Sequence, residues 1–160
     1  LLDGALPIGA ARLNLPGSQK TPWVSDEIFG LDNVVKHLRS AGVDRADCAE
    51  ASRLVLHTDY RKGSNARLLF AGLWALAAQL NSTALIAAVG TRNGQDRLFS
   101  ILGAQIIDSV GRVEVPVFND TLRLAIFKID KDRPPDYPEL DHMMEFIRRS
   151  LAQKPVRHAV

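Results

Sequence analysis

Apolar residues along the chain change their spacing repeatedly, and each change marks an element. The opening LLDGALPIGAARLNLP reads as the end of one strand, a turn at Asp3 and Gly4, and a strand from about Ile8 to Leu15. Pro16, Gly17 and Ser18 close it. Ile28, Leu31, Val34, Val35 and Leu38 then recur at helical spacing, so one helix capped by Ser25 is expected to run to Gly42. Ala49 to Thr58 returns to strand character, and Ser64 or Asn65 can cap a helix reaching about Leu80. STALIAAVG, from Ser82 to Gly90, is a continuous apolar run typical of a strand covered on both faces. Asn93-Gly94 marks a turn, and QDRLFSILGA a short helix stopped at Gly103. QIIDSVGRVEVPVF and DTLRLAIFKI read as strands parted by Asn119-Asp120, with Pro116 demanding an edge, a bulge or a break. DRPPDYPEL is a stiff connector, and Leu140 to Leu151 an amphipathic helix.

Strands alternating with helices and then a run of strands predict an α/β layer protein with a mixed sheet. At 160 residues the whole chain, 1–160, is expected to be one domain with a real core. Because the first residues read as the middle of a sheet, N-terminal elements are expected to be missing. A hydrophobic share of 46% and a charged share of 24% are those of an ordinary globular protein. The net charge of +2 comes from scattered cations, which argues against nucleic acid as a partner. The single cysteine, Cys48, allows neither an internal disulfide nor a CxxC site and favours a reducing, cytoplasmic setting. Leu68 to Leu80, the most apolar window, is too short to span a bilayer, and Asp3 interrupts anything like a signal peptide. His37, His142 and His158 make no metal spacing, so no metal is expected.

Two neighbouring stretches carry the candidate chemistry. Glu50, Ser52 and Arg53 sit at the front of an otherwise apolar strand, and Tyr60, Arg61, Lys62, Gly63, Ser64 and Asn65 form the turn behind it. A helix N-terminus with unpaired N–H groups, a glycine and two cations can hold a phosphate, or can simply be a capped helix preceded by solvated cations. Likewise Glu50, Arg53 and Arg12 can form a site or a structural ion-pair network inside the sheet. The small and aliphatic residues Ala71, Gly72, Leu73, Ala75, Leu76, Ala77 and Ala78 can line a slot for an apolar ligand or pack as a core helix. Cys48 reads as a buried structural thiol, His57 as solvated, and Met143 and Met144 as packing.

Glu50-Ala51-Ser52-Arg53-Leu54, with Gly9-Ala10-Ala11-Arg12-Leu13 before it, resembles the ExSR[FL] and GxxRL signatures of two relatives within the Gcn5-related N-acyltransferase superfamily. These are the long-chain N-acyl amino acid synthases and, less closely, the acyl-homoserine-lactone synthases. SRLVLHTDYRKG looks closer to the former, and Ala49 stands where lactone synthases commonly carry tryptophan. The likeness covers residues 5 to 130. It implies a three-layer fold with a mixed, mostly antiparallel twisted sheet. The turn Tyr60 to Ala66 departs from the superfamily's [QR]xxGx[GA], with Tyr60 where Gln or Arg is usual. LFSILGA is similar to LYxxxGF, with Phe99 in the place of a tyrosine that often protonates the leaving thiolate.

The resemblance implies transfer of a long-chain acyl group from acyl carrier protein to the α-amine of an amino acid. The acyl-phosphopantetheine thioester is then a co-substrate, of carrier protein or coenzyme A, and no cofactor is permanently bound. Glu50, Ser52 and Arg53 are the expected catalytic residues, with Glu50 as base directly or through water. Arg12 or Arg53 would hold the acceptor carboxylate in a bidentate pair. Backbone N–H groups near Leu54, Val55 and Leu56 would polarise the thioester carbonyl at a bulge. Tyr60 to Asn65 would hold the donor phosphate, and an acidic carrier protein would dock on Arg61, Lys62, Arg67, Arg92 and Arg97. A lactone synthase, an acetyl-coenzyme A-dependent acetyltransferase and a non-enzymatic scaffold remain alternatives.

Overall fold

The computed structural model describes residues 1–17, 22–61, 64–132, 136 and 138–153. Strands β1 (Leu2–Asp3) and β2 (Leu6–Pro7) form a small hairpin turned at Gly4, whose φ of 57° suits glycine. There follow β3 (Gly9–Asn14), α1 (Val24–Phe29), α2 (Leu31–Ser40), β4 (Cys48–Leu56), α3 (Asn65–Gln79) and β5 (Ala84–Gly90). The chain continues through α4 (Gln95–Ile101), β6 (Gln105–Ile107), β7 (Val113–Val115), β8 (Asp120–Lys128) and α5 (Pro138–Gln153). The main sheet has the order β3-β4-β5-β8-β6, with β7 also paired to β8. Among the described strands only β4 and β5 run parallel; every other pair is antiparallel.

Three layers result. On one face Phe70, Leu73 and Trp74 of α3 pack with Phe99 and Leu102 and with Leu140 of α5 against Ala49, Ala51, Leu85, Ala87 and Val89. On the other, Phe29 of α1 and Val34 and Leu38 of α2 cover Cys48, Ala84, Ile86, Leu122, Leu124 and Ile126. Strand β5 therefore feeds both cores, which is why its sequence is apolar without alternation. Phe70 meets Phe99 and Phe127 edge-on at centroid distances of 4.9 and 5.0 Å. Such pairs add about 0.5–1.5 kcal/mol each beyond area burial, and here they tie α3 to α4 and β8.

Several expectations change. The helix expected from Ser25 to Gly42 is two helices, broken at Gly30, whose φ of 81° is a left-handed conformation that ends α1. Ser25 lies inside α1 rather than capping it, and its side chain is used elsewhere. Ser64 does precede α3 but makes no side-chain cap, while Asn65 Nδ2 donates back to the Tyr60 carbonyl at 3.0 Å. Pro116 opens a 3-10 turn, Pro116–Phe118, that separates β7 from β8. The small-residue face of α3 is core: Ala71, Ala75, Ala77 and Ala78 are buried in the first cluster. Met143 and Met144 pack against that cluster as expected. Among the described residues no helix is long and apolar enough to cross a membrane.

Candidate active site

β4 and β5 are paired only from Cys48↔Ala84 to Glu50↔Ile86, and beyond that point they part. The separation coincides with a bulge. On β3, Ala10 and Arg12 have one residue between them, but their partners Val55 and Ser52 have two, Arg53 and Leu54. Arg53 takes a φ of 53°, a left-handed conformation that costs a non-glycine residue about 1–3 kcal/mol and clusters at functional sites. Arg53 and Leu54 are thus matched to no residue of β3 or β5, and the edge of β4 facing β5 loses its ladder. A bulge is the usual means of ending pairing beside a site.

The parting opens a cleft of about 1140 Å³, lined from β4 by Glu50 to Val55 and from β5 by Ala87 to Gly90. Ala10, Ala11, Ala51, Ala87 and Ala88 leave the room. The cleft reaches both faces of the sheet. Toward the α3 side it meets Ala11, Leu54, Val89 and Phe99; toward the α1 side it meets Glu27, Ile28, Ser52, Leu122 and Asp120. Exposed Val55, Val117 and Phe118 give its mouth an apolar rim.

Glu50 is fully buried and its carboxylate is saturated. Oε1 accepts from the Ser25 backbone N–H and the Ser25 hydroxyl, each at 2.7 Å. Oε2 accepts from Asn14 Nδ2 at 2.8 Å and from the Val24 N–H at 3.2 Å. An ionised carboxylate has about four lone-pair positions, and all are used. Asn14 Nδ2 also reaches Ser52 Oγ at 3.3 Å, and Arg12 Nε reaches the same oxygen at 3.2 Å. With two donors on its oxygen, the Ser52 hydroxyl keeps its own proton to give. Neither Arg12 nor Arg53 is ion-paired to a described residue. The buried ion-pair network is therefore not formed: Glu50 is held by neutral groups, and both guanidinium-bearing residues line the cleft.

The turn behind β4 lies at the start of α3. Its residues Lys62 and Gly63 fall outside the described residues. Tyr60 closes a 3-10 turn, Thr58–Tyr60, and its hydroxyl donates to Asp3 Oδ2 at 2.9 Å. That bond raises the Tyr60 pKa above its ordinary value. Arg61 is exposed and Nε reaches the Leu56 carbonyl at 3.3 Å. Of the other docking cations, Arg67 pairs with Glu139 of α5 at 3.0 Å, Arg92 donates to the Asn119 carbonyl, and Arg97 is exposed. Cys48 is fully buried, its Sγ 3.1 Å from the Asp44 carbonyl, and burial pushes its pKa up to about 12. It stays a neutral thiol and is no nucleophile. No group of three metal-ligating side chains gathers among the described residues.

Sequence reasoning missed three participants. Ser25 read as a cap, Asn14 as one position within the strand from Ile8 to Leu15, and Asp120 as a turn residue. Asn14 meets Glu50 through the β3–β4 register, Asn14↔Glu50, for which the sequence carried no signal.

The sequence matches no family model, and no curated protein is similar to it. Solved structures are similar in fold. The coenzyme A-dependent acyl-homoserine lactone synthase MesI matches over 97% of this chain and 68% of its own, with 18% identity and a TM-score of 0.56. BjaI, a second such synthase, solved with S-adenosylmethionine and isopentyl-CoA, matches at 20% identity and a TM-score of 0.54. That match covers 92% of this chain and 62% of BjaI. An acetyltransferase from Salmonella typhimurium, yncA, solved with acetyl-CoA, matches over 84% of this chain and 65% of its own, with 15% identity and a TM-score of 0.52. The chain thus spans about two thirds of the length of these proteins. It has the Gcn5-related N-acyltransferase fold, in the form that resembles autoinducer synthases.

Proposed function

We propose that this chain is an N-acyltransferase that moves a fatty acyl group from a phosphopantetheine thioester to the α-amine of an amino acid. The observation that carries the reading is the cleft between β4 and β5, which opens where Glu50↔Ile86 pairing ends and where the Arg53 bulge begins. An extended pantetheine arm fits between two parted strands, with its phosphate toward the turn Tyr60 to Asn65. The acyl chain lies toward Leu54, Val89 and Phe99. The acceptor enters from the α1 side, where the Arg12 guanidinium and the Ser52 hydroxyl take its carboxylate.

The acceptor nitrogen then attacks the thioester carbon. The oxyanion meets a β4 backbone N–H in the stretch Leu54 to Leu56, and preorganised donors of this kind are worth about 2.7–4 kcal/mol each. The C–N bond forms, the C–S bond breaks, and the pantetheine sulfur leaves as a thiolate that takes its proton from water. Glu50 receives the amine's proton through a water that replaces one of its four present donors, of which the Val24 N–H, at 3.2 Å, is the longest. The donor is either an acidic carrier protein docked on Arg61, Arg92 and Arg97 or coenzyme A.

A second reading, an acyl-homoserine-lactone synthase, is favoured by the fold's likeness to MesI and BjaI. Both readings acylate an α-amine, and they part afterwards, because the lactone synthase also releases methylthioadenosine. Mass spectrometry of products formed from long-chain acyl carrier protein or acyl-CoA with the twenty amino acids and with S-adenosylmethionine separates them. An N-acyl amino acid supports the first reading. An acyl lactone with methylthioadenosine replaces it by the second, and intact thioester in every reaction removes both.

A further inference from the structure

We infer that Asp120 binds the cationic group of the acceptor, an inference that rests on the function proposed above. Three carboxylates line the cleft: Glu27, Glu50 and Asp120. They differ in what they have left to offer. Glu50 has every acceptor position filled, whereas Glu27 is exposed on α1 and must be immobilised to bind anything.

Asp120 is both anchored and open. Its Oδ1 accepts from the backbone N–H of Thr91 at 3.1 Å, Arg92 at 2.9 Å and Thr121 at 2.8 Å. Those three bonds fix the carboxylate against the turn that leaves β5. Its Oδ2 accepts from no described residue and lies over Gly90, so close that a Cβ on that glycine would collide with it. The φ of Gly90 is not left-handed, so the backbone there does not call for glycine; the space for Oδ2 does. Gln95 closes the other side, with Oε1 3.1 Å from the Gly90 nitrogen.

The placement suits the acceptor rather than the donor. Asp120 alternates in register with Leu122 and Leu124 of β8, which face α1 and α2, and this is the face on which Glu50 meets Ser25. Continuing the β4–β5 register three residues past Glu50↔Ile86 brings the Arg53 bulge level with Val89, the neighbour of Gly90. An immobile carboxylate oxygen at that level, on the acceptor side of the cleft, is a site for an alkylammonium. Hydrogen bonds to charged groups are the stronger class and set the size of the effect.

The test compares wild type, Asp120→Asn, Gly90→Ala and Glu27→Gln, using long-chain acyl carrier protein and acyl-CoA as donors, with amino acids and, separately, with hydroxylamine, which is uncharged near neutral pH. Asparagine keeps an oxygen for the three backbone donors, and the alanine displaces Oδ2 without changing charge. Both changes are expected to lower kcat/KM for ammonium acceptors by roughly tenfold or more, relative to hydroxylamine. Glu27→Gln should have a smaller effect. A loss for every amino acid places the α-ammonium at Asp120; a loss confined to lysine and ornithine places a distal ammonium there. Equal losses with both nucleophiles would mean that Asp120 only holds the β5–α4 turn, and no loss would mean that it binds nothing; either overturns the inference. If wild type acylates neither nucleophile, the proposed function falls and this inference with it.

Discussion

Ser25 and Glu50 are joined twice at 2.7 Å, by the serine's backbone N–H and by its hydroxyl, across 25 residues of sequence. This junction attaches the start of α1 to the strand that opens the cleft. Glu50→Gln would place an amide NH2 against groups that are themselves donors, and unpaired buried polar groups cost about 1–3 kcal/mol each. We expect Glu50→Gln to lose at least that much stability, and Ser25→Ala to lose about 1–2 kcal/mol through the missing hydroxyl. Urea unfolding reads both as a lower midpoint with an unchanged m-value. Activity lost by Glu50→Gln is informative only beside Ser25→Ala, which leaves the carboxylate in place.

Arg53 holds a left-handed conformation at the bulge. Glycine adopts it without strain, so Arg53→Gly should keep or raise stability by up to about 1 kcal/mol despite losing a side chain. Acyl transfer should fall at the same time, because the change also removes a cation from the cleft. Chemical unfolding and product formation, measured on one preparation, check the two directions; a simultaneous drop in stability would contradict the strain argument.

Phe99 lines the cleft while its ring packs edge-on against Phe70. Phe99→Tyr adds a hydroxyl on that ring, where a leaving thiolate needs a proton. We expect kcat to rise by roughly tenfold, short of the about 100-fold that a well-placed general acid supplies. A thiol-release assay with acyl-CoA measures it, and an unchanged kcat would mean that thiolate departure does not limit the rate.

Cys48 carries a pH signature. Its folded pKa, raised to about 12 by burial, lies above its unfolded value, so its contribution to stability is complete below the unfolded pKa. Between about 9 and 12 the unfolded chain loses a proton that the folded protein keeps, and stability falls as pH rises. The slope from one thiol is at most about 1.4 kcal/mol per pH unit. Cys48→Ala should flatten the alkaline limb of the stability curve, measured by urea unfolding at several pH values. Equal slopes in both proteins would place the titration elsewhere.

Local pattern carried much of the architecture. The unbroken apolar run of β5, the small-residue-rich α3 and a mixed sheet were all legible, because burial on one or both faces writes a period into the sequence. The break of the first helix at Gly30 was not, since the apolar stripe from Ile28 to Leu38 continues through it. A stripe records which face is buried and is silent on whether the axis bends.

The site divides along the same line. By itself the sequence determined which residues enter the strand, Glu50, Ser52 and Arg53, and the family resemblance those residues carry implied a bulge beside them. Tertiary structure alone decided their partners. Asn14 meets Glu50 only because β3 pairs with β4 in one register, and Ser25 meets it only because α1 starts over that strand. Asp120 reaches the cleft only because β8 lies beside β5 and Gly90 has no side chain. Hydrogen-bond partners far apart in sequence are chosen by register and packing, and neither leaves a periodic trace in the chain.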